Sequence, residues 1–538
     1  MPVSTSYPGV YIEELPSLVH SITPAPTSIA VFIGYTHPFR TKQFGTAVQL
    51  SSAADYQSNF GGFFSCPWQP DYVGQAVSQF FLNGGQTCYV VGLQAKQYYD
   101  PLSSPPEQLV GSVAPASVTA GSHGQGITFT AVQPVGVPAN GGTAGISMNV
   151  VVSNPQSSTP SNANDIADIV ISYGTTVETY RKVPIGELIT TLGSSNLVSV
   201  TLSSPPPTAY TPGTFSLGYG SLASPNVAPL ARYTVISATD FAPVFAEFAS
   251  LDKVPVFNLL ATPGISDPTV TSEAAAYCEH KRAFYIVDTP SPVTTGWDVN
   301  SIVGQIGQSA ALTPAAPLST NAAVYYPWLQ TSDPLTAKTT LAPPSGYVAG
   351  VYGKEDSARG VWKSPAGIET TLLGTTGVAA SGVMTDPQQG TLNQNAINCL
   401  RQFPGVGAPV VFGARTTAGS DANTAQQQWR YVAVRRMALF IEQTLYSQLN
   451  WAVFEGNDTP LWNALTQEVN AFMLSLFRQG AFAGSKPSQA FVVQCDSTTT
   501  TATDQLNGVV NILVGFAPLV PAEFVVVKIA QLAGQAQS

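Results

Sequence analysis

The feature that most constrains this chain is its last quarter, residues 424–528, where two long amphipathic helices precede strand-like runs and a loose tail. The spacing predicts a first helix capped by Thr424, with Gln427 three residues on in capping-box relation. Trp429, Val432, Met437, Phe440, Ile441, Leu445 and Leu449 recur at the helical period and form one stripe, with Arg430, Arg435, Glu442 and Gln448 largely off it. A second helix is expected with Thr459 as N-cap and Pro460 in the first helical position, where a missing donor costs nothing. Trp462, Leu465, Val469, Phe472, Met473 and Leu476 make its apolar face, and Gly480 stops it. Residues 490–494 and 508–514 read as strands by their β-branched content, and so does 523–529.

A terminal strand of that kind either pairs at home or adds itself to the edge of another sheet. Residues 6–14 pose the same choice at the other end, cut off from the body by Pro16, Pro24 and Pro26. Two such strands on Pro-rich stalks point to a subunit woven into others. Composition agrees. Charged residues are 10% of the chain against about a quarter in ordinary domains, and an assembly that buries much of the surface suits so few charges. A net charge of −10 argues against nucleic acid as the main partner, which would call for a basic face. Cys66, Cys88, Cys278, Cys399 and Cys495 are scattered with no C-x-x-C pair, as expected of reduced thiols in a protein assembled in the cytoplasm. Early Glu13 and Glu14 without a basic n-region give no sign of a signal peptide. No apolar run approaches the ~20 residues of a membrane helix. Asn457-Asp458-Thr459 reads as a turn and N-cap rather than a glycosylation site.

Taken in order, the chain is expected to be a multidomain α/β plus β protein. An arm at 1–26 leads into a lobe at 27–100, with a strand at 28–34, a helix capped by Asp71 and a strand at 87–91. Over 101–230 helical periodicity gives way to short alternating runs at 127–132, 146–152, 169–173, 177–180 and 198–202, with a hairpin turn at Gly174-Thr175. This predicts an all-β insertion, a sandwich or barrel on the outer surface. Residues 231–375 alternate again: helices at 241–251, 272–281 and 301–309, strands at 254–260, 284–287 and 322–326. Apolar strands between helices predict a parallel sheet covered on both faces. Residues 376–522 form the expected C-terminal α+β domain, and 523–538 a terminal strand and tail.

No catalytic constellation emerges. The histidines are His20, His37, His123 and His280, the last beside cations at a helix C-terminus, where the dipole suits it. There is no G-x-S-x-G elbow, H-E-x-x-H, EF-hand loop or Cys/His cluster. Gly350-Val351-Tyr352-Gly353-Lys354-Glu355 lacks the spacing and hydroxyl of a phosphate loop and is expected to be a structural turn. Asp240, Asp252 and Asp288 flank α/β elements, where carboxylates commonly cap helices.

The arm Tyr7-Pro8-Gly9-Val10-Tyr11-Ile12-Glu13-Glu14 and residues 27–34 resemble the N-terminus of contractile tail sheath proteins. The resemblance extends through residues 283–288, 323–328, 343–350, 360–367, 429–436 and 489–496, in the family's order, and leaves out 101–230. It implies a subtilisin-like α/β domain without a catalytic triad, and a C-terminal domain facing an inner tube. It also implies a structural, non-enzymatic subunit of stacked six-subunit rings around that tube, in a phage tail or phage-tail-like particle. Contraction would drive the tube through a target envelope. The implied partners are further copies, the tube protein, and baseplate and terminator or cap proteins. No cofactor, metal, nucleic acid or membrane insertion is expected. On this basis Val10, Tyr11 and Ile12, together with Phe524, Val525, Val526 and Val527, are the expected exchanging strands. Phe491, Val492, Val493, Val509, Val510 and Ile512 are the expected acceptor sheet, and Arg430, Arg435 and Glu442 the tube-facing set. The rivals are an active subtilase-like hydrolase, which needs Ser, His and Asp converging within 231–375, and a β-rich surface adhesin or tail-spike module.

Overall fold

The computed structural model describes residues 21–527, apart from 66–70, 95–96, 101–107, 113–114, 123–124, 136, 140–141, 145, 156–164, 208, 218–236, 293–298 and 300–317. Two compact units divide them: 26–358 with 365–432, and 21–25 with 359–364 and 433 onward.

The larger unit is organised by one eight-stranded sheet. Its strand β1 (Ala30–Tyr35) is buried throughout, as an unbroken apolar run must be in a sheet covered on both faces. Strand β2 (Ala47–Leu50), helix α1 (Ala53–Phe60), helix α2 (Tyr72–Leu82) and strand β3 (Cys88–Leu93) follow. Asp71 caps α2 as predicted, its Oδ1 accepting from Gly74 N at 3.0 Å. Neither β2 nor α1 is foreshadowed by periodicity.

Residues 117–216 then build two larger antiparallel sheets and a two-stranded hairpin of 137–139 with 142–144. They contain β4 (Ser117–Ser122), β5 (Gln125–Ala131), β6 (Met148–Ser153), β7 (Ile166–Tyr173), β8 (Thr176–Pro184), helix α3 (Leu188–Leu192), β9 (Val198–Leu202) and β10 (Gly213–Ser216). One sheet has the order β9-β5-β4, the other β8-β7-β6-β10. Burial alternates residue by residue along β7, the period-2 signature that marks this region in the sequence. Gly174, at φ +59°, turns β7 into β8. The region is not purely β, because α3 buries Leu188 and Leu192 in the same core.

The chain returns to the large sheet through α4 (Ser237–Phe245), β11 (Leu259–Ala261), α5 (Pro268–Lys281), β12 (Phe284–Asp288) and β13 (Ala322–Tyr326). Helices α6 (Ser345–Arg359) and α7 (Asp386–Gln394) and strands β14 (Ile397–Arg401) and β15 (Val410–Val411) complete it. The order is β2-β3-β1-β11-β12-β13-β14-β15, with the six inner strands parallel and the two edge strands antiparallel. Strands on both sides of residues 101–230 therefore share one sheet, and β14 joins it too. The helix expected over 241–251 stops at Phe245, and Phe248 takes a positive φ of 66° that no helix accommodates. The strand expected over 254–260 is reduced to β11, and the helix expected over 301–309 lies outside the described residues.

Gly350 and Gly353 are not in a turn. They lie inside α6, where small residues let the helix press onto α2. A Cβ at Gly346 would sit 2.5 Å from Ala76 Cα, and one at Gly350 would sit 2.7 Å from Phe80 O.

The smaller unit is built on α8 (Val432–Gln448) and α9 (Thr459–Arg478). Helix α8 begins at Val432 and not after Thr424, because other partners claim the preceding backbone. Arg430 O accepts from Thr416 N at 2.9 Å, Val432 N donates to Ala414 O at 3.0 Å, and Tyr431 bridges Arg415. Gln427 turns its amide to the carbonyls of Ser420 and Asn423, so there is no capping box there, and Trp429 falls outside the helix. The N-cap of α9 is Asp458 rather than Thr459; its carboxylate accepts from Leu461 N at 3.3 Å, and Pro460 is the second helical residue. The predicted apolar face of α9 is buried from Trp462 to Leu476.

Strand β16 (Phe491–Gln494), helix α10 (Ala502–Leu506) and strand β17 (Leu513–Phe516) follow. Phe491 stands opposite Phe516 and Val493 opposite Val514, and all four pack on the α8–α9 core. The strand expected over 508–514 forms only at its end. Val509, Val510 and Ile512 precede β17, and the last two pack beside Trp462 and Leu465 instead.

Candidate assembly surface

The aspartates that could suggest chemistry have structural duties. The Asp288 carboxylate, at the end of β12, accepts from Gly264 N at 2.9 Å, Ser345 N at 2.8 Å and Ser345 Oγ at 2.6 Å. It thus caps α6 from a neighbouring strand. Burial raises its pKa to about 6, against the pull of those three bonds. Asp240 accepts from the Tyr35 hydroxyl at 2.8 Å, and Asp252 pairs with Lys281 at 2.7 Å.

The Ser345 hydroxyl is committed to Asp288 with no imidazole between them. His37 is buried elsewhere: its Nδ1 accepts from Phe39 N and its Nε2 meets Gln133 Oε1 at 2.7 Å, the arrangement of a neutral ring. Burial lowers its pKa to about 4. His280 lies in the last turn of α5, while His20 and His123 fall outside the described residues. Among the described residues no cluster of His, Cys, Asp or Glu could hold a metal, and no helix is long and apolar enough to cross a membrane. Cys88, Cys278, Cys399 and Cys495 are free and buried, and burial pushes the Cys399 thiol up to about 12.

The unusual surface belongs to the smaller unit. Its β16–β17 sheet has two strands, and among the described residues no third strand pairs with either edge. Val492 and Leu513 face outward and are exposed. Beyond β17, residues 521–527 form no strand, and Phe524, Val525, Val526 and Val527 are 76%, 83%, 79% and 76% exposed. Four consecutive large apolar residues in water is an unstable condition, since burying each is worth roughly 1.5–3 kcal/mol.

The root of the other terminus lies on the same unit. Ile22 packs on the α8–α9 core, Thr23 N donates to Gln448 Oε1 at 3.3 Å, and Ala25 N donates to Thr444 Oγ1 at 3.1 Å. Val10, Tyr11 and Ile12 lie outside the described residues.

The set Arg430, Arg435 and Glu442 does not stay together. Arg435 and Glu442 pair at 3.3 Å, two turns apart on α8. Arg430 precedes the helix, belongs to the larger unit and reaches Asp421 at 3.4 Å. Exposed Phe454, Leu506 and Val520 went unremarked in the sequence, because apolar residues in loops follow no period.

A sheet open at both edges among the described residues, an uncovered apolar segment and a rooted arm together mark a building block. Residues 247–417 match the phage tail sheath protein central domain and residues 424–531 the phage tail sheath C-terminal domain, together more than half of the chain. The chain belongs to the contractile tail sheath family.

Over 198 residues it is 27% identical to a Pseudomonas aeruginosa (strain UCBPP-PA14) prophage protein named as a major tail sheath protein. That alignment covers 37% of this chain and 48% of the relative, so the match spans about half the relative's length. The fold is similar to that of the sheath complex of an extracellular contractile injection system, PVC, in the contracted state. The TM-score is 0.56 at 23% identity, covering 99% of each chain. It is also similar to the contracted helical sheath of the anti-feeding prophage, with a TM-score of 0.55 at 23% identity, covering 98% of this chain and 100% of that one.

Proposed function

We propose that this chain is a structural subunit of a contractile sheath. It polymerises as stacked six-subunit rings around an inner tube and shortens to drive that tube through a target envelope. The observation that carries this reading is the open β16–β17 sheet beside an uncovered 524–527 segment. In an assembly the segment 524–527 of one copy adds to the sheet of a neighbour, and Val10, Tyr11 and Ile12 of another copy add to the opposite edge. Phe491, Val492 and Val493 lie on the accepting strand, and Val509, Val510 and Ile512 lead into its partner. Such a joint forms about four to six backbone hydrogen bonds at ~1 kcal/mol net each. Pro16, Pro24 and Pro26 let the stalks redirect while the strands stay paired, which suits a switch between two packings of one subunit.

The larger unit is subtilisin-like in this reading, with the triad lost. A mostly parallel sheet and the direct contact of Ser345 with Asp288 support that, and the chain is no enzyme. Residues 101–230 form an outer insertion, and the helices and strands from 433 to 522 with the 523–538 strand face the inner tube. The partners are further copies, the tube, the baseplate and a terminator or cap protein, with assembly in the cytoplasm. The polar face of α8, with Arg435 and Glu442, contacts the tube, with Arg430 nearby in sequence.

Negative-stain microscopy of the protein expressed alone tests the reading. Full-length protein forms hollow tubes, and removal of 1–14 or 523–538 abolishes them; tubes formed without either segment would end the strand-exchange model. Charge reversal at Arg435 that left sheath–tube co-assembly intact would eliminate the α8 contact.

A further inference from the structure

The smaller unit has two dissimilar ends, held apart by α9, whose 20 residues span ~30 Å. At its N-terminal end the loop before α9 and the loop after α10 are tied together at Asn457. Its Nδ2 donates to Val509 O at 3.1 Å, and its carbonyl accepts from Gln505 Nε2. This tip presents Phe454, fully exposed with φ +74°, and Leu506, 88% exposed. Around them stand Glu455, Asp458 and Asp504, and no Lys or Arg occurs from 437 to 477 or from 487 to 527. Capping accounts for Asp458 on α9 and Asp504 on α10, but not for an aromatic ring in water beside them.

At the C-terminal end of α9 the chemistry reverses. Arg478 closes the helix and Lys486 follows. Val520 and Leu519 are exposed there, held in place by Ala483 N donating to Ala517 O at 2.9 Å and by the bridge between Phe482 and Pro518.

Each end is thus an apolar knob; the first carries acidic groups alone, while at the second Arg478 and Lys486 outnumber Glu523, so the net signs are opposite. We propose that the acidic tip of one copy, centred on Phe454, seats against the basic tip of the next copy's smaller unit, centred on Val520. Tip-to-tip pairing of like ends would oppose acid to acid, so charge complementarity selects a head-to-tail contact, the kind that closes rings or runs on as a helix. The inference rests on the sheath reading and names a side-chain contact between copies distinct from strand exchange.

The test uses the full chain carrying Phe454→Cys and Val520→Cys together, assembled and then oxidised. The two introduced thiols sit at opposite ends of α9 in one molecule, so a disulfide joining them forms only between copies, and Cys66, Cys88, Cys278, Cys399 and Cys495 are replaced by Ala so that no native thiol competes. The expected result is a ladder of covalent oligomers from the double variant and none from either single variant. Dimers from Phe454→Cys alone would overturn the head-to-tail arrangement. Tubes that assemble but give no ladder would overturn the contact and leave the sheath reading standing. Failure of the unsubstituted chain to form tubes would overturn that reading and the contact with it. As a second measure, Glu455→Arg lowers tube yield at least tenfold and Arg478→Glu in the same chain restores it; no loss, or no rescue, would also overturn the contact.

Discussion

The two sheets built around parallel β1 and antiparallel β16 treat their edges in opposite ways. In the larger unit, six parallel strands are buried between helices and both ends are finished by short antiparallel strands, β2 and β15. Thr371 bridges Val410, so even the two-residue edge strand has a partner. In the smaller unit two strands pack one face on α8 and α9, and among the described residues no further strand pairs with either edge. A buried edge must satisfy its peptide groups within the chain, whereas an exposed edge is a template for another strand. The first sheet is finished at both edges; the second, over the described residues, is half-made.

The largest test of that contrast is deletion. Removing 523–538 should abolish tube formation completely while leaving the thermal unfolding midpoint of the remaining chain within about 2 °C, since Phe524 to Val527 touch little in the single molecule. A midpoint that fell by 10 °C would mean the segment belongs to the local core.

Next in size is Gly346→Leu in α6. Its side chain would collide with Ala76 of α2, and the larger unit should lose about 3 kcal/mol or more in urea unfolding, whereas Gly390→Ala, inside α7 with nothing within 4 Å, should gain about 0.5–1 kcal/mol.

His37 gives a pH test of the closed sheet. Its folded pKa of about 4 lies below the ordinary imidazole value of 6.5, so between those values the unfolded chain holds more protons. Its contribution is complete above about pH 6.5 and disappears as pH falls to 4. The stability advantage of the native protein over His37→Gln should therefore shrink by about 2–3 kcal/mol between pH 7 and pH 4. Asp71 and Asp288 run the other way: burial lifts them to about 7 and about 6, so their folded forms hold protons longer and stability falls as pH rises through that window. They cancel in the comparison with His37→Gln. A constant difference across the range would show that the imidazole is not held neutral.

The smallest effect is Val525→Ser, which should change the stability of the isolated chain by less than ~0.5 kcal/mol yet lower tube yield, read by sedimentation.

The legible parts of this fold were those written in a period. The buried face of α9, from Trp462 to Leu476, and the alternation of β7 follow from the geometry of helix and strand. Asp71 announces α2 because a cap is a local bond. The start of α8 was hidden because residues 430–432 bond to 414–416, a choice made by tertiary pairing. Gly350 and Gly353 misled for a related reason: glycine marks a turn when read alone and a helix crossing when another helix lies against it. Arg430 falls outside α8 because of the same tertiary pairing.

By itself the sequence determined the α/β alternation, the β-rich stretch at 117–216, the two C-terminal helices and the apolar character of both termini, since each follows from local periodicity and composition. Only the tertiary structure decided that β1, β11 and β14 lie in one sheet, that Asp288 caps α6, and that β16–β17 has just two strands among the described residues. Strand order and edge closure depend on contacts between residues hundreds of positions apart, and no local pattern encodes them.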